Sequence, residues 1–245
     1  MQLCRTGDDT GDDGVLLLLV TSDGAGSAAH SELGSQLVCA EAMKWVTWRL
    51  SQAGERLSEL DGQMLVYKLR TMLTNLAEDL QHDLRDLACT LNVAAILPGY
   101  QWYLQVGDGA MVVQAGEEPA RVVFWPDNGE YANQTYFLTD VPDRHIHVNC
   151  GAEPITRVAV MTDGLQSLAL SLQQRAAHAP FFEPMFSAVE TLVPGDEAGR
   201  KQLETTLQEF LDSPAVNART SDDKTLVLAS CRPGRQQADV PVAAP

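Results

Sequence analysis

Basic residues are scarce in this sequence. Lysine and arginine together number 17 against 33 aspartates and glutamates, and the net charge is −16. A protein this acidic repels phosphate backbones and anionic lipid, so we expect neither nucleic acid nor a membrane as a partner. Solubility alone explains most acidic surfaces, and the more specific interpretation is that some of the carboxylates hold cations.

Long apolar runs and closely spaced cysteines are also missing. The longest apolar run near the N-terminus, residues 15–20, is too short to span a bilayer, and it follows acidic residues, unlike a signal peptide. The five cysteines are widely spaced, without a C-x-x-C pair, which argues against a cysteine zinc site and a disulfide framework. We therefore expect a cytoplasmic protein in a reducing compartment.

Hydrophobic spacing predicts the first half of the fold. Residues 15–21 are an apolar run that stops at a Ser-Asp-Gly turn, which is typical of a buried strand. A helix should follow, because apolar residues recur at helical spacing between residues 39 and 50. Residues 51–62 are polar and rich in turn formers. A leucine stripe between residues 69 and 91 then predicts one helix of about seven turns.

The second half is richer in strands. Short β-rich segments are separated by Gly, Pro, Asp and Asn, which predicts an antiparallel meander. These segments are residues 93–97, 102–106, 111–114, 122–125, 135–138 and 145–148. Further strands are predicted at 157–162 and 225–229, around a helical region that is broken at Pro180, Pro184 and Pro194. This order indicates an α+β layered domain over residues 1–232, followed by a disordered tail, residues 233–245.

Three turns centred on aspartate lie at the ends of predicted strands. They contain Asp23 in S-D-G-A-G-S, Asp163 in T-D-G and Asp222 in S-D-D-K-T. A strand end fixes the backbone, the short side chain places its carboxylate, and a following glycine lets a carbonyl oxygen approach a ligand. Converging carboxylates form a hard oxygen site suited to Mg²⁺ or Mn²⁺. One Asp-Gly is usually only a turn, but three aspartate turns at strand ends of one acidic chain favour a metal site.

Two other motifs fit less well. The spacing Gly24-x-Gly26-x-x-Ala29 after a strand matches a loose dinucleotide-binding fingerprint, but Asp23 would face the pyrophosphate and no βαβ unit continues the pattern. The acidic segment 8–14 has the start of a calcium loop and lacks its terminal glutamate.

A histidine pair is a further candidate. His145 and His147 lie on the same face of a predicted strand and could bind a metal together. Two ligands make an incomplete site, so a solvated pair or a pair at the edge of the core is the simpler interpretation.

Four motifs in order resemble the metal-dependent protein phosphatases, the type 2C serine/threonine phosphatases. They are the segments around Asp23, Asp108 (V-G-D-G), Asp163 (M-T-D-G-L) and Asp222 (D-D-K-T-L-V), and the resemblance runs from about residue 8 to residue 230. Residues 181–225 also resemble a bacterial branch of that family. The resemblance implies a layered α-β-β-α sandwich, with two central antiparallel sheets flanked by helices and metals at one edge.

The resemblance also implies the roles of the residues at the centre. Asp23 would bridge two cations, Gly24 would ligate one through its carbonyl oxygen, and Asp163 and Asp222 would complete the two metal sites. These three aspartates would carry the catalysis. No site for an organic cofactor is implied.

Other positions match the family less closely. Asp108 corresponds to a ligand of a third, weaker cation, and Asp9, or less well Asp8, to an early acidic residue that holds a metal through water. Ala25 replaces a histidine that some eukaryotic members use as a proton donor. The strand that normally precedes the early acidic motif is mostly absent from the sequence, and Arg5 is a weak match to a phosphate-binding arginine.

The implied function is hydrolysis of phosphoserine and phosphothreonine in a phosphorylated protein substrate. A hydroxide shared by two divalent cations, Mn²⁺ or Mg²⁺, would attack phosphorus in line. A cognate serine/threonine kinase would be a further partner. The alternatives are a catalytically inactive phosphatase-like module for binding or sensing, and a structural cation-binding domain. An inactive module would usually have lost Asp23, Asp163 or Asp222, and all three are present.

Overall fold

Two large antiparallel sheets, one two-stranded ribbon and six α-helices are the main elements of the described part of the chain. The computed structural model describes residues 2–6, 14–52, 56–127, 135–193 and 195–231. The strands are β1 Gln2–Thr6, β2 Gly14–Thr21, β3 Leu91–Leu97, β4 Tyr100–Val106, β5 Ala110–Ala115, β6 Arg121–Val122, β7 His147–Gly151, β8 Ile155–Met161, β9 Leu170–Ser171, β10 Ala176–Ala177 and β11 Leu226–Ser230. The helices are α1 Ser31–Ser51, α2 Glu59–Leu80, α3 Gln166–Ala169, α4 Ala179–Thr191, α5 Glu197–Leu211 and α6 Pro214–Asn217.

The strands form a five-stranded and a four-stranded sheet that face each other. The order is β1-β2-β3-β4-β7 in the first sheet and β11-β8-β5-β6 in the second, and β9 pairs with β10 in a short ribbon. All the strand pairs are antiparallel. Neighbouring strands therefore run in opposite directions, and the end of one strand lies beside the start of its neighbour. Turns that are far apart in the sequence can meet at such a sheet edge.

Buried side chains form three layers: one between the first sheet and its helices, one between the two sheets, and one between the second sheet and its helices. Along β3, Val93 and Ala95 pack with α1 and α2, whereas Ala94 lies in the cluster between the two sheets. On the second sheet, Met111 faces the first sheet, and Val112 packs with α4. This alternation confirms the predicted α-β-β-α sandwich.

The prediction of a single helix through the leucine stripe is wrong. α2 ends at Leu80, and Gln81 then adopts a left-handed conformation with φ of 57°. A 3₁₀ turn over Leu84–Leu87 follows, and Leu91 begins β3. The leucines of all three elements face the same core, so their spacing does not reveal where the helix stops.

The start of α2 also differs from the prediction. The segment expected to be an irregular turn region contains the first residues of this helix, which begins at Glu59. Ser58 and Asp61 form a capping box: the Ser58 side chain accepts from the Asp61 N–H, and the Asp61 carboxylate accepts from the Ser58 N–H. Such a box satisfies two amide groups that the helix leaves unpaired.

Prolines interrupt the C-terminal helices less than predicted. Pro180 lies in the first turn of α4, where its missing N–H costs nothing, and Pro184 lies inside the same helix. Phe182 and Phe186 of α4 are buried in the core against the second sheet, and this burial offsets the hydrogen bond lost at Pro184. Pro194 lies outside the described residues; α4 ends before it at Thr191, and α5 begins after it at Glu197.

Two strand predictions also change. Residues 135–138 form no strand, and Leu138 donates one backbone hydrogen bond to Cys89. Conversely, a strand does precede β2: β1 pairs with it from Gln2 to Thr6. The predicted tail, residues 233–245, lies outside the described residues, and the extent of the domain stays a prediction. Among the described residues, no helix has the length and apolarity needed to cross a membrane.

Candidate metal centre

Asp23 lies on a turn that is fixed to the neighbouring strand segment. Its N–H donates to the Thr90 hydroxyl at 3.0 Å, and its carbonyl oxygen accepts from the Thr90 N–H at 2.8 Å. Two residues later, the Ala25 N–H donates to the Ala88 carbonyl at 2.9 Å. The Asp23 carboxylate therefore projects from a backbone that is held on both sides.

Asp163 and Asp222 meet because β8 and β11 are antiparallel neighbours. The Thr162 N–H donates to the Thr225 carbonyl at 3.2 Å, and the Thr225 N–H donates to the Thr162 hydroxyl at 3.0 Å. The end of β8 and the start of β11 thus lie side by side. Asp163 is half-buried next to this junction, and Asp222 is exposed.

Gly164 allows the two turns to approach each other. A Cβ atom at this position would collide with the backbone carbonyl oxygen of Asp223. The glycine after Asp163 is therefore required for close approach of the backbone, as the sequence motif indicated.

Asp108 lies in the turn between β4 and β5 and is almost fully buried, with 7% of its surface exposed. Its carboxylate accepts a hydrogen bond from the Thr135 hydroxyl, and its carbonyl oxygen accepts one from Gln166 Nε2 at 2.6 Å. The preceding Gly107 has φ of 97°, a conformation that favours glycine. Asp108 is thus buried and held by two hydrogen bonds, unlike a residue of an ordinary exposed turn.

The four predicted aspartates interact electrostatically. Burial raises the pKa of Asp163 to about 7, helped by its hydrogen bond with Asp23 and by the negative charges of Asp222 and Asp23. Burial likewise raises the pKa of Asp23, and the charges of Asp222 and Asp108 add to the increase. Burial, followed by the charge of Asp163, raises the pKa of Asp108, although the Thr135 hydrogen bond opposes the shift. Holding Asp23, Asp108 and Asp163 in their charged forms here therefore costs free energy.

The donor atoms fit hard divalent cations. The Oδ1 atom of Asp163 is buried and has no hydrogen-bond partner, although buried carboxylate oxygens are normally paired. A cation bound there would satisfy this oxygen and offset the mutual repulsion of the carboxylates. The positions of Asp23, Asp163 and Asp222 support the predicted grouping, while their roles as ligands stay predictions.

Two predicted ligands are placed less fully. Gly24 follows Asp23 directly and is packed against Ser31, which leaves no room for a Cβ atom. Its carbonyl oxygen stays a predicted ligand. Asp9 and its alternative Asp8 lie outside the described residues.

Sequence reasoning missed the residues that hold the aspartates in place. Thr90, Thr135 and Gln166 each contact an aspartate turn from a distant part of the chain, 67, 27 and 58 residues away. No local pattern marks such partners, because a threonine or glutamine becomes a support only once the sheets have assembled.

A surface groove of about 440 Å³ borders Asp222. Leu207 and Leu211 of α5 form its apolar wall, and Glu204 and Asp212 add further acidic groups. Of the four site aspartates only Asp222 lines this groove, so a chain bound along it would reach Asp222.

Comparisons with known proteins agree with these motifs. Residues 6–212 match the protein phosphatase 2C family. Serine/threonine-protein phosphatase 3 of Escherichia coli (strain K12) is 35% identical over 218 residues, which cover 87% of this chain and 83% of that protein.

Solved structures share the fold. The catalytic domain of the serine/threonine protein phosphatase PstP, in complex with two manganese ions, has a TM-score of 0.56 at 17% identity and covers 94% of this chain and 95% of its own. The serine/threonine phosphatase Stp1 from Staphylococcus aureus has a TM-score of 0.53 at 13% identity, covering 95% of this chain and 89% of its own. The sequence matches over most of the chain confirm the predicted resemblance: the chain belongs to the bacterial branch of the protein phosphatase 2C family, the metal-dependent serine/threonine protein phosphatases.

Proposed function

We propose that this chain hydrolyses phosphoserine and phosphothreonine in proteins by means of two Mn²⁺ or Mg²⁺ ions held by Asp23, Asp163 and Asp222. The observation that carries the proposal is the buried Oδ1 of Asp163, which has no hydrogen-bond partner. The neighbouring negative charges of Asp222 and Asp23 add to the burial that raises the pKa of Asp163. When bound, two such cations would lower the pKa of water and neutralise charge on the phosphoryl group.

The aspartates have distinct tasks in this proposal. Asp23 and Asp163 come from different sheets and would hold the cations from both sides, and the proton that they hold near neutral pH would leave on binding. Asp222 is exposed and would face the incoming phosphate. The Gly24 carbonyl would complete the set, and Asp108, held by Thr135, would serve a third, weaker cation.

The leaving oxygen needs a proton. Ala25 stands where some relatives of this fold have a histidine, and its methyl group is buried and cannot donate. Water would therefore protonate the departing serine or threonine oxygen.

The groove beside Asp222 indicates which phosphorylated segments the site would prefer. Its lining has four acidic side chains against one basic side chain, Lys224, so it favours basic residues near the phosphorylated side chain. Leu207 and Leu211 favour an apolar neighbour. A kinase that phosphorylates such segments would supply the substrate. The proposed location of the protein is the cytoplasm.

A direct test is release of phosphate from a phosphothreonine peptide and from an aryl phosphate, with Mn²⁺ and with chelator. We expect hydrolysis of both with Mn²⁺ and none with chelator, and faster hydrolysis of a peptide with flanking arginines than of one with flanking glutamates. Binding of the phosphopeptide without turnover at any metal concentration would instead establish the inactive module.

A further inference from the structure

A third side chain completes the histidine pair that the sequence left incomplete. Asp127 Oδ2 lies 2.6 Å from His145 Nδ1 and 2.8 Å from His147 Nε2. The ligand atoms of the three residues all lie within 4.8 Å of one another. We propose that these residues form a second metal site, selective for Zn²⁺ over Mg²⁺ and Mn²⁺ and separate from the aspartate centre.

The three side chains are held in place by their surroundings. Their exposed fractions are 17% for Asp127, 19% for His145 and 32% for His147. The Tyr136 ring stacks on His145 with centroids 3.8 Å apart, and the Phe124 ring lies 5.7 Å from that of His147. Aromatic walls on both rings limit their rotation, so the donor atoms converge before any ion arrives.

The donor set determines which ion fits. Two imidazole nitrogens and one carboxylate oxygen suit Zn²⁺, whereas Mg²⁺ and Mn²⁺ favour oxygen alone. In a tetrahedral zinc site the ligand atoms lie roughly 3.3 Å apart. Asp127 Oδ2, which lies 2.6 Å and 2.8 Å from the two ring nitrogens, would therefore have to separate from them by about 0.5 to 0.7 Å. A cavity of about 210 Å³, lined in part by Glu59 and Gln63, adjoins His147 and leaves room for water as a fourth ligand.

The site shares no residue with the aspartate centre. Asp127 follows β6, His145 ends a 3₁₀ turn and His147 begins β7, the edge strand of the five-stranded sheet. Zinc would therefore fasten the segment after β6 to this edge. The two centres are linked only indirectly, because Thr135, which donates to Asp108, is next to Tyr136 in sequence.

Arg144 opposes metal binding in a way that can be measured. Its Nε donates to His145 Nε2 at 3.1 Å, which keeps the ring proton on Nδ1, the atom that must ligate. For zinc to bind, this proton has to move to Nε2 and the Arg144 side chain has to turn away. Arg144 is exposed and free to do so. Without zinc, the same three side chains form an ordinary hydrogen-bonded cluster. The measured zinc affinity therefore distinguishes a metal site from such a cluster.

The experiment measures Zn²⁺ affinity by competition with a chromophoric chelator, using the full chain in excess Mg²⁺. We expect wild type to bind one zinc ion tightly, and His147→Ala and Asp127→Asn to bind at least about tenfold more weakly, the smallest loss expected for a metal-site partner. His178→Ala removes a histidine outside the cluster and should bind as wild type does. Circular dichroism without zinc identifies any variant that fails to fold.

Two further variants separate this site from its rivals. Asp163→Asn should keep the zinc affinity of wild type, and Arg144→Ala should exceed it. Zinc binding that survives His147→Ala and disappears in Asp163→Asn would place the ion in the aspartate centre and overturn the proposal. Equal affinity in wild type and His147→Ala would do the same. Because no readout depends on hydrolysis, the result stands apart from the proposed function.

Discussion

Asp23 and Asp163 come from different sheets, yet the Asp23 carboxyl acts directly on that of Asp163 and helps to raise its pKa. Asp23 follows β2 of the five-stranded sheet, and Asp163 follows β8 of the four-stranded sheet. Two carboxyl groups this close favour a retained proton or a bound cation, because either one reduces their mutual repulsion. The two sheets thus place carboxyl groups close enough to repel each other. A bound cation would reduce this repulsion.

This contact predicts the pH dependence of stability without metal. The pKa of Asp163 is raised from 3.8 to about 7, so between these pH values the folded chain holds a proton that the unfolded chain has lost. Its contribution to stability therefore falls as pH rises through that window. Asp163→Asn, which is neutral throughout, should flatten the decline. Thermal melts in chelator from pH 5 to pH 8 make the comparison, and parallel profiles for the two proteins would contradict it.

Metal removal should abolish hydrolysis. The aspartate donors are all oxygen, so Mn²⁺ or Mg²⁺ should restore the activity of chelator-treated protein, whereas Zn²⁺ should restore little. Phosphate release after exhaustive dialysis and readdition of each metal is the measurement. Full activity of the metal-free chain would rule out the two-cation mechanism.

Gly164 should be intolerant of a side chain, in contrast to Gly26. In Gly164→Ala the new methyl group meets the Asp223 carbonyl and pushes the Asp163 turn away from the start of β11. A shift of about 1 Å in such a site can lower turnover by roughly a hundredfold. Gly26→Ala is the matched control, because nothing lies within 4 Å of the added atom. Steady-state hydrolysis with Mn²⁺ should separate the two, and equal loss in both would show that the close approach is unimportant.

Asp61 should matter for stability and not for chemistry. Its carboxylate caps α2 at Ser58 and accepts from Arg49 Nε at 2.8 Å, with 5% of its side chain exposed. Asp61→Asn should lower the free energy of unfolding by about 2 to 4 kcal/mol, because it removes a buried ion pair and weakens a cap.

The control for this change is an ion pair whose lysines are exposed. Glu41→Gln removes the partner of Lys44 and Lys68, whose side chains are 72% and 47% exposed, and should cost no more than about 1 kcal/mol. Urea unfolding followed by circular dichroism measures both variants. Equal costs would mean that burial at Asp61 does not strengthen its interactions.

The sequence located the aspartate turns at strand ends more accurately than it located the helix ends. Asp-Gly turns at strand ends are local features, so Asp23 and Asp163 could be recognised from the sequence, and the antiparallel sheets then brought them together. The end of α2 at Leu80 escaped notice because Leu84 and Leu87 continue the apolar spacing in a different backbone conformation.

Tertiary partners were beyond the reach of sequence reasoning. Asp127 was missed as the partner of His145 and His147 because it comes from another segment, 18 and 20 residues away. Its contact depends on where the loop after β6 folds back, which no periodicity encodes. Thr135 was likewise expected in a strand, and its hydroxyl instead supports Asp108.

The central claim is that Asp23 holds both cations of a hydrolytic centre, and Asp23→Asn tests it most directly. The variant keeps the size of the side chain and removes the shared negative charge, so hydrolysis of a phosphothreonine peptide at saturating Mn²⁺ should fall at least about a hundredfold. The fold should survive, and the metal-free variant should melt no lower than wild type, because a repulsive carboxylate is gone. Asp8→Asn should lose much less. Near-normal turnover of Asp23→Asn together with an inactive Asp8→Asn would contradict the account.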